Sequence, residues 1–265
     1  MLRIFIKLIK RIVPLVVAIY FFPRLTLFYV LCGLIDVMRN KKRNLGLFGR
    51  YFFGNGLLTW FLSPLNLLMD VLALPYRNQG IYELTDLPES HRQEITTVLK
   101  AADNDVFLDL LKSQMENQKR VMLFFKWYGA NNETFDSVPE FHQPYKYIRT
   151  IGVSAFNKNQ STSEHFGPLR VTLRVLYNIG PLPEGDSFIE VAHHTNHWRD
   201  QRQFIFDDTL QHKSCNESDG IRYCMFIDIL RPSPWPRIIS TVLTCVRSCA
   251  FRVNTLFYKN WEILR

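Results

Sequence analysis

The stretch LRVTLRVLYNI alternates, with Leu169, Val171, Leu173, Val175 and Tyr177 on one face. A period of two belongs to a strand with one face in a core. From Val121 onward, similar short runs of β-formers follow one another: VMLFFKWYG, YIRTIGVSAF, SFIEVAH, QFIFDD and IRYCMFIDIL. Turn residues such as Pro183-Glu184-Gly185 and Asp219-Gly220 separate them. Strands this short and evenly spaced predict a mainly β domain, an antiparallel sandwich or barrel. Ahead of them, Pro88 to Lys119 reads as helix, with Ile95, Val98 and Leu99 and then Phe107, Leu110 and Leu111 three or four apart.

The chain has 265 residues, 47% of them apolar, which is enough for a sizeable core. Its net charge of +8 is concentrated at the ends: residues 1–50 carry ten Lys or Arg against Asp36 alone, and residues 231–265 carry six against Glu262. A nucleic-acid binder places its excess on the folded domain, so nucleic acid is not the expected partner. Basic ends beside apolar runs suit an anionic membrane surface. Cys32, Cys215, Cys224, Cys245 and Cys249 form no CxxC pair and are odd in number, which predicts reduced thiols and a β domain facing the cytoplasm.

Ile12 to Met38 is an apolar run long enough to cross a bilayer, with Pro23-Arg24 as its flaw. Residues 1–50 are therefore expected to be a basic membrane anchor. Tyr51 to Leu74 is apolar but broken by Gly54, Gly56, Pro64 and Asp70, so residues 51–75 are expected to lie in the interface. Residues 76–232 hold the β domain. Residues 233–265 are expected to form a basic amphipathic helix, with Ile239, Val242, Leu243, Val246, Cys249, Val253 and Leu256 on its apolar face. Docking on lipid and packing on the protein body both fit that face.

Strand pairing suggests how polar residues converge. A hairpin closing around Cys215–Asp219 sets His212 opposite Arg222 on one face. A hairpin closing around NKNQST sets Ser154 close to His165. Continued alternation places Asp208 on the face of His212, where it would orient that imidazole. Two neutral imidazoles suit Fe(II), and an arginine fork suits the carboxylate of a co-substrate. The tract HHTNHW, with His193, His194 and His197, is expected to be a surface turn rather than a metal site.

In order, Ser154, His165, Gly167-Pro168, Arg174, IFDDTLQH ending at His212, and Arg222 resemble the aspartyl/asparaginyl β-hydroxylase family of 2-oxoglutarate oxygenases. The likeness spans roughly residues 60 to 232. SPLNLLMDVLALPYR, Leu84 to Glu89 and FFKWYG are similar to its lipid A 2-hydroxylase branch, which is membrane-anchored. The resemblance implies a double-stranded β-helix, a jelly-roll or cupin-like barrel with flanking helices. It implies Fe(II) held by His165 and His212, with 2-oxoglutarate and O₂ as co-substrates. Arg222 and Ser154 would hold the distal carboxylate of 2-oxoglutarate, and Arg174 would lie near its metal-bound end. The implied product is a hydroxylated C–H bond of a membrane lipid acyl chain, with release of succinate and CO₂. The alternative substrate is an Asp or Asn side chain of a protein. Two positions depart from the pattern: Gly167 stands where a facial triad has its carboxylate, and Leu176 stands where a histidine is common. Gly167 is shared with the peptide-hydroxylating branch, whereas Leu176 leaves room for a non-catalytic membrane-bound barrel.

Overall fold

The computed structural model describes residues 16–17, 19–103, 109, 112–113, 119–131, 138–250 and 262–264. In chain order its strands are β1 (Ile81–Tyr82), β2 (Arg120–Trp127), β3 (Ala130–Asn131), β4 (Ile148–Phe156), β5 (Gln160–Ser161), β6 (Thr172–Ile179), β7 (Gly185–Val191), β8 (His194–His197), β9 (Gln203–Phe206), β10 (His212–Ser218), β11 (Arg222–Leu230) and β12 (Glu262–Leu264). Its helices are α1 (Pro23–Val37), α2 (Leu45–Phe53), α3 (Leu57–Phe61), α4 (Ser63–Leu72), α5 (Glu89–Ala102), α6 (Pro139–His142) and α7 (Pro236–Ala250).

The strands form two sheets, a larger one in the order β1-β9-β6-β11-β4-β2-β12 with β3 on β2, and a smaller one in the order β5-β10-β7-β8. From β4 to β11 the chain passes back and forth between them, and each of these strands is antiparallel to its neighbours. That path is a double-stranded β-helix, the predicted architecture.

Alternation sets the two faces of the larger sheet. Leu173 and Val175 of β6, Met225 and Ile227 of β11, and Ile151 and Val153 of β4 pack in one cluster with Ile95, Val98 and Leu99 of α5. The predicted helix is thus α5, while Phe107, Leu110 and Leu111 lie outside the described residues. The opposite face, with Leu176, Cys224 and Phe226, meets Ile189 and Val191 of the smaller sheet. Polar residues on that inner face therefore end up between the sheets.

The N-terminal helices are fastened to the barrel by buried charge. Asp36, at the end of α1, is ion-paired with Arg170, which lies between β5 and β6 and is fully buried. Arg170 also pairs with Asp70 of α4 (2.5 Å) and approaches Asp207 (3.3 Å), while Arg39 pairs with Asp207 at 2.5 Å. Burial by itself would raise the Asp207 pKa, but Arg39, Arg170 and the donors of Thr209 outweigh it and hold the carboxyl well below its usual range. Removing one partner from such a network leaves an uncompensated buried charge, at a cost of about 3–5 kcal/mol.

Four expectations need correction or restriction. Pro23 opens α1 as a separate helix of 15 residues, about 22 Å long, against roughly 30 Å for a bilayer core. Among the described residues no helix is long and apolar enough to cross a membrane. The start of the apolar run, before residue 16, lies outside them. α7 buries Ile239 and Leu243 against Met69, Leu169, Val171 and Leu230, so this part of the C-terminal helix packs on the protein body. Val253 and Leu256 lie outside the described residues. The expected helix does not run on to residue 265, because Glu262–Leu264 pairs with β2 as the parallel strand β12. HHTNHW is only partly a turn: its middle four residues, His194–His197, form edge strand β8 on β7, with His194 exposed, while His193 and Trp198 lie in the flanking turns. Cys32, Cys215, Cys224 and Cys245 are free thiols.

Candidate active site

Between the sheets lies a cavity of about 220 Å³ lined by Ser154, His165, Arg174, Asp208, His212 and Arg222. All six residues singled out from the sequence meet there, but by a different route. β10 and β11 do not form the expected hairpin, because the predicted loop Cys215–Asp219 continues β10 to Ser218. His212 faces Val191 in the smaller sheet and Arg222 faces Phe156 in the larger one, so they converge across the sandwich. Ser154, on β4 beside Cys224, donates from Oγ to the Cys224 carbonyl at 3.2 Å. His165 does not pair with the Ser154 strand. It pairs with His212 through two reciprocal backbone N–H···O bonds of 2.9 Å.

Directly paired residues project to one side, and here the two imidazole centroids are 4.1 Å apart. Each Nδ1 lies 2.8 Å from a backbone carbonyl two residues earlier, Ser163 for His165 and Leu210 for His212. A carbonyl only accepts, so each Nδ1 carries the proton and each Nε2 presents a lone pair. Burial lowers the pKa of both, and at His212 the neighbouring His165 adds to the effect. Two neutral imidazoles with bare Nε2 atoms are metal donors.

The loop carrying His165 is held from the helical side. Asn55 donates to the Glu164 carbonyl (2.5 Å), Thr59 to that of Gly167 (3.0 Å) and Asn66 to that of Pro168 (3.2 Å). Phe166 packs edge-on against Tyr51, with centroids 5.5 Å apart. Three side chains from α3, α4 and the turn before them thus orient the first histidine.

Arg222 is 2% exposed, with its guanidinium carbon 4.5 Å from the Phe156 ring centroid and 5.7 Å from that of Trp198. Its Nε and Nη1 have no hydrogen-bond partner among the described residues. Burial lowers its pKa. A buried guanidinium with unmet donors is costly, and an anion entering the cavity would offset that cost through charge-assisted hydrogen bonds.

Arg174 is already engaged. Its Nη1 donates to Asp208 Oδ1 (2.7 Å), and its Nε and Nη2 donate to Asp228 Oδ1 (3.0 Å) and Oδ2 (3.3 Å). Burial raises the pKa of Asp228, while Arg174 opposes that rise. Asp228 was missed by sequence reasoning. The signal was there: in RYCMFIDIL every second residue from Arg222 shares a face, so Asp228 follows Arg222, Cys224 and Phe226 inward. Asp208 Oδ1 also lies 3.3 Å from His212 Nε2.

The donor set fits Fe(II) and a dicarboxylate co-substrate: two imidazole lone pairs beside an unpartnered buried guanidinium. Among the described residues, no three His, Cys, Asp or Glu side chains already close around one point. His197 is paired with Asp186 at 3.0 Å, and neither it, His193 nor His194 lines the cavity.

The aspartyl/asparaginyl beta-hydroxylase family matches residues 89–232. Over 90 residues the chain is 31% identical to an ornithine lipid ester-linked acyl 2-hydroxylase from Rhizobium tropici, a match covering 34% of this chain and 32% of that relative. The chain therefore matches about a third of that relative's length. Among solved structures, a Cupin_2 domain of an XRE family transcriptional regulator from Enterobacter cloacae aligns at TM-score 0.31 and 13% identity, covering 43% of this chain and 99% of that one. A cupin domain from Bordetella pertussis Tohama I aligns at TM-score 0.27 and 14% identity, covering 43% and 97%.

Proposed function

The chain belongs to the aspartyl/asparaginyl β-hydroxylase family, and we propose that it is an Fe(II)- and 2-oxoglutarate-dependent dioxygenase acting on an acyl chain of a membrane lipid. The observation that carries this reading is the convergence of His165 and His212 with the unpartnered guanidinium of Arg222 in one cavity. His165 and His212 would hold the iron through Nε2. Arg222 would bind a carboxylate of 2-oxoglutarate, with the Ser154 hydroxyl beside it. Held there, iron would supply activation of O₂, with 2-oxoglutarate going to succinate and CO₂ as a substrate C–H bond becomes C–OH. The residues keep the imidazoles neutral and oriented, and the sheets exclude bulk water.

A lipid substrate is supported by the helical side and by the acyl 2-hydroxylase relative. α1 and α3 frame an apolar groove of about 530 Å³ lined by Leu25, Tyr29, Leu57, Trp60 and Phe61. Phe61 is 62% exposed, and Leu25 and Leu57 are more than half exposed. An apolar patch of this kind marks an interaction surface. Arg24, Lys41, Lys42 and Arg43 lie on exposed positions nearby in the chain, as binding to anionic headgroups requires. In this reading the helices dock the barrel on the cytoplasmic face of a membrane. The same helices grip the His165 loop, so docking brings lipid to the iron.

The test has two parts. Protein with Fe(II), O₂ and 2-oxoglutarate should release succinate, and His212→Ala should not. Lipids and proteins from cells with and without the gene, compared by mass spectrometry, should show one added oxygen on an acyl chain. An added oxygen confined to Asp or Asn residues would transfer the assignment to the protein substrate. Normal succinate release by His212→Ala would remove the dioxygenase reading.

A further inference from the structure

A second cavity, of about 310 Å³, lies where the segment after α4 meets the segment after β11, and it shares no lining residue with the catalytic one. Arg77, Gln79, Asp86 and Arg231 bring polar groups to its wall. Arg231 is 2% exposed and donates from Nη1 to Asp70 at 2.6 Å, while its Nη2 is buried with no hydrogen-bond partner among the described residues. Arg77 is exposed and forms no ion pair among the described residues. A buried N–H without an acceptor is unfavourable, and an oxyanion held by both guanidiniums would relieve it. Asp86 Oδ2 accepts the Glu83 N–H at 2.8 Å, which leaves Oδ1 for a donor on the ligand.

Apolar side chains flank this polar cavity. Leu74 and Tyr76 at its α4 side, and Trp235 and Ile238 at the start of α7, are each about half exposed. Ser233 joins the two sides, donating from Oγ to the Leu72 carbonyl at 2.7 Å and accepting the Trp235 N–H at 3.0 Å. A free phosphate needs no such border, whereas a lipid headgroup arrives with acyl chains attached, and an indole favours the boundary between apolar and wet surroundings. Resting on the membrane-docking reading, we propose that this cavity binds the phosphodiester of a bilayer lipid. Arg77 and Arg231 take the oxyanion, Asp86 takes a headgroup hydroxyl, and Leu74, Tyr76, Trp235 and Ile238 meet the acyl region. A phosphomonoester would bring a second negative charge against Asp86, so the diester is the better fit.

The test uses the full-length protein with two probes: phosphatidylglycerol vesicles, and glycerophosphoglycerol, the same headgroup without acyl chains. Arg77→Gln should weaken both at least about tenfold, as should Arg231→Lys, which keeps a charge for Asp70 and removes the unpartnered donor. Trp235→Ala should weaken the vesicles alone. Lys41→Gln, which removes an exposed charge away from the cavity, should weaken vesicle binding by less than threefold. Retained Co(II) binding at the histidines, with Co(II) standing in for Fe(II), shows that each variant is folded. Equal losses in Arg77→Gln and Lys41→Gln, with no binding of glycerophosphoglycerol, would overturn the proposal in favour of diffuse charge attraction. Inorganic phosphate binding as tightly as glycerophosphoglycerol, with vesicle binding unaffected by Arg77→Gln, would overturn it in favour of a free-anion site. Failure of the wild type to bind vesicles would instead refute the docking reading itself.

Discussion

Arg222 offers the sharpest perturbation because its two roles have opposite signs. Without co-substrate, its guanidinium is buried at 2% exposure with Nε and Nη1 unpartnered, so it destabilises the fold. Arg222→Met keeps much of the volume against Phe156 and Trp198 and removes the charge. It is expected to raise the stability of the co-substrate-free protein by about 1–3 kcal/mol. For a domain of this size that is roughly 2–4 °C in Tm per kcal/mol. With 2-oxoglutarate the sign reverses. Each hydrogen bond to a charged group is worth about 1.5–3 kcal/mol, so Arg222→Lys, keeping the charge but one bond fewer, should lose about 2 kcal/mol of affinity, roughly thirtyfold. At a concentration 100 times the wild-type Kd, 2-oxoglutarate stabilises the wild type by about 2.7 kcal/mol. The same concentration should give Arg222→Lys about 0.9 kcal/mol and Arg222→Met almost nothing. Thermal unfolding with Mn(II) in the absence of O₂, titrated with 2-oxoglutarate, reads all three. Full stabilisation of Arg222→Met by 2-oxoglutarate, or a Tm below wild type without it, would refute the assignment of the orphaned donors to a carboxylate.

Asp207→Asn should cost about 3–5 kcal/mol in urea unfolding, because Arg39 and Arg170 lose their shared carboxylate in a fully buried position; a loss under about 1 kcal/mol would contradict the network. Asn66 donates to the Pro168 carbonyl and accepts from the Arg170 N–H at 2.9 Å, so Asn66→Ala should cost about 1–3 kcal/mol and raise the KM for lipid more than that for 2-oxoglutarate. His91 donates from Nε2 to the Leu230 carbonyl at 3.0 Å, and burial lowers its pKa, so the neutral form is the folded one. The unfolded state then binds the extra proton, and this contribution is present above about pH 6.5 and lost as pH falls below it. The difference in unfolding free energy between wild type and His91→Gln should shrink from pH 7.5 to 5.5; a constant difference would sink the argument. Leu57→Glu/Phe61→Glu should abolish sedimentation with anionic vesicles while leaving Co(II) binding unchanged, and undiminished sedimentation would remove the groove from the membrane contact.

Strand identity was legible from alternation, because β2, β6, β9 and β11 of the larger sheet bury one face in the cluster that holds α5 and the other against the smaller sheet. The site residues were legible for the same reason, since Ser154, Arg174 and Arg222 share the inner parity of their strands. The partners of those strands were not. A hairpin closing over Cys215–Asp219 is the local solution, but it would leave β5 without a partner and β7 with β8 alone, and β10 joins them instead. His212 reaches Arg222 across about one sheet spacing rather than along a ladder, a geometry that no pairing rule applied to neighbouring segments can produce. Asp36, Arg170 and Asp207 were illegible for a related reason: they lie more than 30 residues apart in the chain, and nothing in any one segment says that its charge is buried.

That buried network changes how the N-terminal half should be understood. An apolar run with Pro23-Arg24 reads as an imperfect membrane crossing when judged alone. Its polar end, however, carries Asp36 and Arg39, which together reach Arg170, Thr209 and Asp207 inside the barrel. Gly33 allows the approach that lets Trp60 donate to the Tyr29 carbonyl at 2.9 Å, so α1 is held against α3 as well. The apolar residues left exposed, among them Leu25, Leu57 and Phe61, then lie on one assembly whose other side holds the His165 loop through Asn55, Thr59 and Asn66. A flexible tether would leave the barrel free to tumble above the bilayer. If the barrel docks on a membrane as proposed, a helical collar locked by ion pairs would set the mouth of the site at a fixed height and orientation, as an acyl C–H bond near the headgroups would require. Cutting the Asp36–Arg170 pair should therefore impair turnover on vesicle-borne lipid before it impairs turnover on a detergent-dispersed acyl substrate, whereas equal losses on both would mean that the collar only stabilises the fold.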